Sequence, residues 1–480
     1  MEQAKVTLLR RRRTKIVATL GPASTDPRTV RELIGAGVDV FRMNMSHGDH
    51  ETHRKAHAEV RAAATEAGQP VAILADLCGP KIRVGRFPDG PILLQDGTGV
   101  TVTTRDVPGR PGLIPSQYKA LADDVQPGCR LLLADGLLEL TVDRVEGTEV
   151  ACSVVHGGVL SDRKGINLPD VTVSAPALTP KDRQDAAFAL ELGVEYFALS
   201  FVRHAGDVED LRALLPPGDA TRIIAKIERP EALDAADAIL DAADGIMVAR
   251  GDLGVELPPE AVPVAQRRLV AQARAKSKPC IVATQMLESM IEHSQPTRAE
   301  VSDVSTAVFS GADAVMLSAE TAAGSYPVHA VAMMDRIARR IEGYQWSEGT
   351  FRTDSPEPEG AIPLHTALAR ATAQLSRDLR VRAIVVFSAS GATAEVVAGA
   401  RPAAPVLAAT TDQRTFRQMN LLWGVVPVLV DDAELDDPRG LARRLTRTLD
   451  LASPGEFVLA VAGVAGAATD EAPSITALRA

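Results

Sequence analysis

Aromatic side chains are scarce in this 480-residue chain, at 3%, so Ala, Val, Leu and Ile must fill its interior. Cysteine is scarce too: Cys78, Cys129, Cys152 and Cys280 have no paired spacing and no neighbouring His pattern. Disulfides and zinc are therefore not expected, and the thiols read as reduced, in a cytoplasmic protein. No apolar run approaches a membrane span, and none follows the basic stretch Arg10 to Arg13 in the way a signal peptide requires. Excess positive charge is also lacking. The formal net charge of −10 argues against nucleic-acid binding, so the basic run reads as a solvated or interface-forming arm.

Hydrophobic residues at 46% and charged residues at 24% describe a globular chain, and its length calls for two or three domains. From Lys15 onward, Val/Ile/Ala-rich runs alternate with helical stretches, the pattern of parallel βαβ units. Eight strands are expected, at 15–20, 39–45, 71–76, 195–201, 222–228, 245–250, 279–284 and 314–319. Eight suggests a closed (β/α)8 TIM barrel, assigned to residues 1–80 and 174–346.

Residues 81–173 carry alternating segments split by Pro, Gly and Asp, which read as an inserted all-β lid domain after strand three. A Pro/Glu/Gly/Ser-rich linker is expected over 347–363. Beyond it, over 364–480, strands near 383–388, 405–410, 425–430 and 456–462 alternate with helices in a smaller open α/β domain.

Several barrel runs end in polar residues at alternate positions. Alternation on a strand would project Arg42, Asn44 and Ser46 one way, and likewise the pairs Lys226/Glu228, Arg250/Asp252 and Ser318/Glu320. In a parallel barrel all of them converge on the carboxyl-end mouth, where barrel enzymes place their active sites.

Glu228 and Asp252 end consecutive strands and could supply two oxygen ligands to Mg²⁺, with Mn²⁺ as a possible substitute. The plainer alternative is two carboxylates salt-bridged to Lys226 and Arg250. Arg42, Arg83, Arg250 and Lys226 make the rim positive, as an anionic substrate would require. Hydroxyls of Thr284 and Ser318, with Glu320, could orient a carboxylate or relay a proton, or could simply cap helices.

The segments TKIVATLGPAS (14–24), FRMNMSHG (41–48), GPKIR (79–83), KGINLP (164–169), AKIE (225–228), MVARGDLGVELP (247–258), ATQMLESM (283–290), PTRAEVSDV (296–304) and MLSAET (316–321) closely resemble the pyruvate kinase family. The resemblance implies a three-domain, Mg²⁺-dependent homotetramer that moves phosphoryl from phosphoenolpyruvate to ADP, giving pyruvate and ATP. By the same resemblance Glu228 and Asp252 hold the metal, and Lys226 neutralises the phosphoryl group and the developing enolate. Arg42 and Arg83 clamp phosphates, with His47 and the lid residue Lys164 at the nucleotide. Thr284 and the amides of Gly251 and Asp252 hold the substrate, while Ser318 and Glu320 serve the proton route.

Where many relatives place K⁺ near Asn44, Ser46, Asp76 and the carbonyl of Leu77, this chain carries Lys81, a pattern resembling the K⁺-independent branch. A tethered ammonium would replace the free cation. In the last domain Ser388, Ser390, Gly391 and Thr393 form a hydroxyl-rich turn resembling an effector loop, with Arg439 as a second contact and Glu395 nearby as an unfavourable charge. Another Mg²⁺-dependent enolate barrel, such as a class II aldolase or lyase, would lack KGINLP and His47. An inactive metabolite-binding relative would have lost Lys226, Glu228, Asp252 or Thr284.

Overall fold

The computed structural model describes residues 12–169, 171–348, 361–465 and 473–480. Arg10, Arg11, most of the expected linker and most of the loop after residue 465 lie outside them.

Eight parallel strands close a barrel: Lys15–Thr19, Val40–Asn44, Ala72–Asp76, Tyr196–Leu199, Arg222–Ile227, Gly245–Ala249, Cys280–Ala283 and Ala314–Leu317. Each pairs with its neighbours in sequence, so the polar residues after each strand gather at one rim. Local chemistry starts the surrounding helices. Asp26 and Asp49 cap Pro27–Ala36 and His50–Ala67, and Thr179 with Asp182 and Thr297 with Glu300 form capping boxes. Asp182 also accepts the Gly79 N–H at 3.1 Å, fixing the turn after strand three.

Side-chain alternation divides the barrel into two cores. Ile16, Phe41, Ile73, Phe197, Ile223 and their equivalents face the helices, whereas Val17, Val40, Leu74, Tyr196, Ile224 and Met247 fill the interior.

The inserted segment forms a six-stranded sheet and a two-stranded one, leaving the barrel after strand three. Its strands Arg130–Leu133, Leu138–Glu146 and Glu149–His156 pair antiparallel around a core including Val102, Leu131, Leu140 and Val154.

The C-terminal sheet has five strands. The four expected ones are parallel, and Ser474–Arg479, not foreseen, adds antiparallel to Phe457–Ala462. This domain closes the barrel floor. Leu421, on the one-turn helix Met419–Leu421, joins the interior core cluster, Tyr196 donates from its hydroxyl to Gln418 O at 2.7 Å, and Lys15 Nζ to Val425 O at 2.7 Å. The arm contributes as well: Arg12 pairs with Asp39 at 2.7 Å, and Arg13 Nη2 donates to Ala403 O at 3.3 Å. Arg12 is thus bonded into the barrel and Arg13 reaches the C-terminal domain, so neither is part of a solvated run. Among the described residues no helix is long and apolar enough to cross a membrane.

Candidate active site

At the sixth and eighth strands the difference from the expected end changes the reason their polar residues meet. The sixth strand stops at Ala249 and the eighth at Leu317, each running straight into a helix, Arg250–Glu256 and Ala319–Ala322. Arg250/Asp252 and Ser318/Glu320 are therefore not alternate positions of a strand. Arg250 is the clearest correction. Its guanidinium turns into the wall, pairing with Asp303 at 2.6 Å and donating to the carbonyls of Ala283 and Thr284, so it adds no free charge to the rim.

The centre is a bonded network around Lys226. Its ammonium lies 2.9 Å from Glu228 Oε1, 3.2 Å from Asp76 Oδ1 and 2.7 Å from Ser200 Oγ. Burial would lower the Lys226 pKa, but Asp76 and Glu228 outweigh it and hold the amine protonated, above its usual value. Asp76 is buried as well. Burial alone would raise its pKa, yet Lys226 and Arg42, whose Nε donates to Asp76 Oδ2 at 2.6 Å, keep it below the ordinary carboxylate range.

Glu228 moves the other way. Burial raises its pKa, Lys226 opposes, and the negative charge of Asp252 pushes further upward. Its Oε2 accepts the Phe201 N–H at 2.7 Å, and Phe201 holds a left-handed φ of 57° to present that amide.

Lys81 donates to Asp252 Oδ1 at 3.3 Å, so each carboxylate already carries an ammonium. Among the described residues no cluster of three or more His, Cys, Asp or Glu side chains could hold a metal ion. Mg²⁺ does not need one, because it is commonly bound by one or two carboxylates plus substrate and water oxygens. Two carboxylates close enough to repel, each countered by positive charge, fit that role.

Thr284 lies at φ 70°, costly for a β-branched residue, and its hydroxyl accepts the Gly251 N–H at 2.7 Å while donating to Ala283 O at 2.6 Å. The Gly251 amide is thus engaged by Thr284. Glu320 is buried and accepts from the amides of Leu287 and Ser318 at 3.1 and 2.7 Å; burial raises its pKa despite these bonds. The Ser318 hydroxyl is buried without a hydrogen-bond partner.

Arg83, His47 and Lys164 sit on the lid side. Arg83 donates to Arg163 O at 3.0 Å and bridges Gly165, Lys164 is exposed, and Asn44 contacts His47 Nδ1 at 3.1 Å. Burial, then the charges of Arg83, Arg42 and Lys81, depress the His47 pKa and favour its neutral form. Ser46 is exposed, its N–H bonded to Asn44 Oδ1 at 3.2 Å, and Leu77 is buried.

Ser200 and Phe201 were not singled out from the sequence. The signal was one polar residue ending the apolar run Tyr196–Leu199, as Asp76 ends its own.

In the C-terminal domain Gly391, at φ 84°, caps Ala392–Gly399. Ser388 is buried, Ser390 and Arg439 are exposed, and Thr393 Oγ1 donates to Ala465 O at 2.8 Å. The unfavourable Glu395 is neutralised from outside the loop, by Arg222 at 2.9 Å.

The "Pyruvate kinase, barrel domain" family matches residues 11–331, and the "Pyruvate kinase, alpha/beta domain" family matches 366–472. The chain belongs to the pyruvate kinase family. It is 45% identical over 456 residues to the pyruvate kinase of Mycobacterium tuberculosis, covering 94% of this chain and 95% of that one. Pyruvate kinase 2 of Synechocystis is 46% identical over 426 residues, covering 88% and 71%. The crystal structure of a pyruvate kinase from Cryptosporidium parvum superposes with a TM-score of 0.90 at 33% identity, covering 99% and 97%. The activity is accordingly that of a pyruvate kinase, a phosphotransferase, and the aldolase, lyase and inactive-relative readings are not favoured.

Proposed function

We propose that the barrel mouth binds phosphoenolpyruvate and ADP and passes the phosphoryl group between them under the charge of Lys226, Arg42 and Arg83. The observation that carries this reading is the network joining Lys226, Asp76, Glu228 and Arg42, which fixes cationic groups before substrate arrives. Phosphoryl transfer leaves little covalent work to protein groups, so such preorganised charge is what the chain can contribute.

Glu228 and Asp252 would hold Mg²⁺, or Mn²⁺ in its place, which when bound supplies charge neutralisation at the carboxylate, enolate and phosphoryl oxygens. Lys226 stays protonated and faces the transferring group and the enolate oxygen. Arg42 and Arg83 grip phosphate oxygens, neutral His47 lies at the nucleotide, and Lys164 comes down with the lid. Thr284, having moved its hydroxyl from Gly251, frees that amide, which with the Asp252 amide holds the substrate carboxylate. The unpartnered Ser318 hydroxyl and the raised pKa of Glu320 suit a water-mediated proton route to the enolate carbon.

Lys81 takes the place of K⁺, so Asn44, Ser46, Asp76 and the Leu77 carbonyl hold no monovalent ion. Residues 1–80 with 174–346 form the catalytic barrel, 81–173 the lid and 364–480 a regulatory and assembly domain, in a cytoplasmic homotetramer. Ser388, Ser390, Gly391, Thr393 and Arg439 would take a phosphorylated effector.

The test is pyruvate formation from phosphoenolpyruvate. It should require ADP and Mg²⁺ and proceed without K⁺; pyruvate release without ADP would overturn the reading.

A further inference from the structure

Asn167 belongs to the lid strand Ile166–Asn167, but its side chain leaves the lid. Its Nδ2 donates to Glu256 Oε1 at 3.0 Å, and both residues are buried. Glu256 ends the helix Arg250–Glu256, one turn beyond Asp252, so the two carboxylates share a helix face. Next to it, a Cβ on Gly136 at the tip of a lid hairpin would meet Val255 Cγ1 at 3.4 Å. The lid thus touches this helix at two successive residues.

The other oxygen of Glu256 has no hydrogen-bond partner, although Arg229 lies 3.9 Å away as its ion pair. Arg229 directly follows Glu228. From the single carboxyl of Glu256, one line runs along the helix to Asp252, a second through Arg229 to Glu228, and a third through Asn167 into the lid. Arg229, Asn167 and Asp252 also line one small cavity with Lys81. A buried carboxyl satisfied on one oxygen contributes little stability for its desolvation cost, which makes a purely structural role a poor account of it.

We propose that Asn167 and Glu256 are positioning residues that set the spacing of Asp252 and Glu228 according to the position of the lid, so that lid docking and divalent-cation affinity are linked. The proposal rests on the reading of Glu228 and Asp252 as cation ligands. Linkage is reciprocal, so the cation should also steady the lid.

The test needs no turnover. Free Mn²⁺ is followed by electron paramagnetic resonance during titration of the full chain, and hydrogen exchange of the lid amides is measured with and without Mn²⁺. Asn167→Leu should weaken Mn²⁺ binding roughly tenfold, the scale of one buried hydrogen bond to a carboxyl group. Glu256→Gln keeps an oxygen for Asn167 but loses the ion pair with Arg229, so its affinity should fall between those of the unmodified chain and Asn167→Leu. Mn²⁺ should slow lid exchange in the unmodified chain and not in Asn167→Leu; Asn167→Ser gives the same comparison should the leucine variant not fold. Asp252→Ala is the control that separates the two readings. If Asp252→Ala loses Mn²⁺ while Asn167→Leu binds it normally with an unchanged lid response, the linkage is overturned and the ligand reading stands. If Asp252→Ala binds Mn²⁺ normally, the ligand reading itself falls and takes the linkage with it.

Discussion

Lys81 Nζ and Asp252 Oδ1 lie 3.3 Å apart, joining the first turn of the lid segment to the helix after the sixth barrel strand. Both side chains keep partial exposure, 30% and 25%, so the pair itself adds little stability. Its importance is positional, since it fixes an ammonium beside Asp252, at the junction of the inserted domain with the proposed cation site.

The first prediction follows from that ammonium. Activity with Mg²⁺ should be nearly the same in K⁺ and tetramethylammonium salts at equal ionic strength, and Lys81→Glu should become K⁺-stimulated. Strong stimulation of the unmodified chain by K⁺ in steady-state assays would show that Lys81 does not replace the ion.

Lys226→Met should lower turnover on the order of a hundredfold or more, by removing a preorganised charge. The variant should also be less stable at neutral pH, by about 3–5 kcal/mol, because Asp76 and Glu228 lose their shared buried partner. Acid should narrow that gap. Glu228, raised by burial, takes up its proton at a higher pH than an ordinary carboxylate as the solution is acidified, whereas Asp76, with its lowered pKa, contributes stability above its unfolded value near 3.8 and loses it only below. Denaturant melts at pH 7 and pH 5 would reveal it, and an equal gap at both would contradict the network.

His57 gives a second pH effect. Burial, then the charges of Arg61, Arg417 and Arg54, lower its pKa from 6.5 to about 4. A base depressed in the folded state leaves stability intact above 6.5 and erodes it as pH falls from 6.5 toward 4, since only the unfolded chain readily takes the proton. His57→Gln should flatten that part of a melting-temperature profile, and an unaltered acid slope would rule the assignment out.

Arg222→Ala should leave the half-buried Glu395 without its ion pair and cost about 1–3 kcal/mol at neutral pH. Glu395→Gln together with Arg222→Ala should recover part of it, because the uncompensated charge is gone. A double variant no more stable than Arg222→Ala, measured by chemical denaturation, would argue against the pair.

Much of this was legible in the sequence because parallel strands buried on both faces are written as continuous apolar runs with polar ends. Arg42, Asp76, Lys226 and Glu228 were found that way. The misreadings have a common cause. Arg250, Asp252, Ser318 and Glu320 continue a two-residue alternation, yet two such positions cannot distinguish a strand's end from a helix's start, so Arg250 was assigned to a rim it does not face. The strand Ser474–Arg479 was missed because its partner, Phe457–Ala462, already reads as a complete strand without it. Leu421 carried no signal either, being one apolar residue on one helical turn whose burial depends wholly on the far side of the barrel.

That leucine changes what a shorter version of this protein would be. With Leu421 seated among Val17, Leu74, Tyr196 and Met247, the last domain acts as a stopper. Without residues 361–480 the barrel would open an oily well at its base, and the Tyr196 hydroxyl and the Glu195 carbonyl would exchange their bonds to Gln418 for water. The barrel is then not expected to behave as a detachable module, and a chain cut between the two should precipitate or recruit another surface to fill the hole.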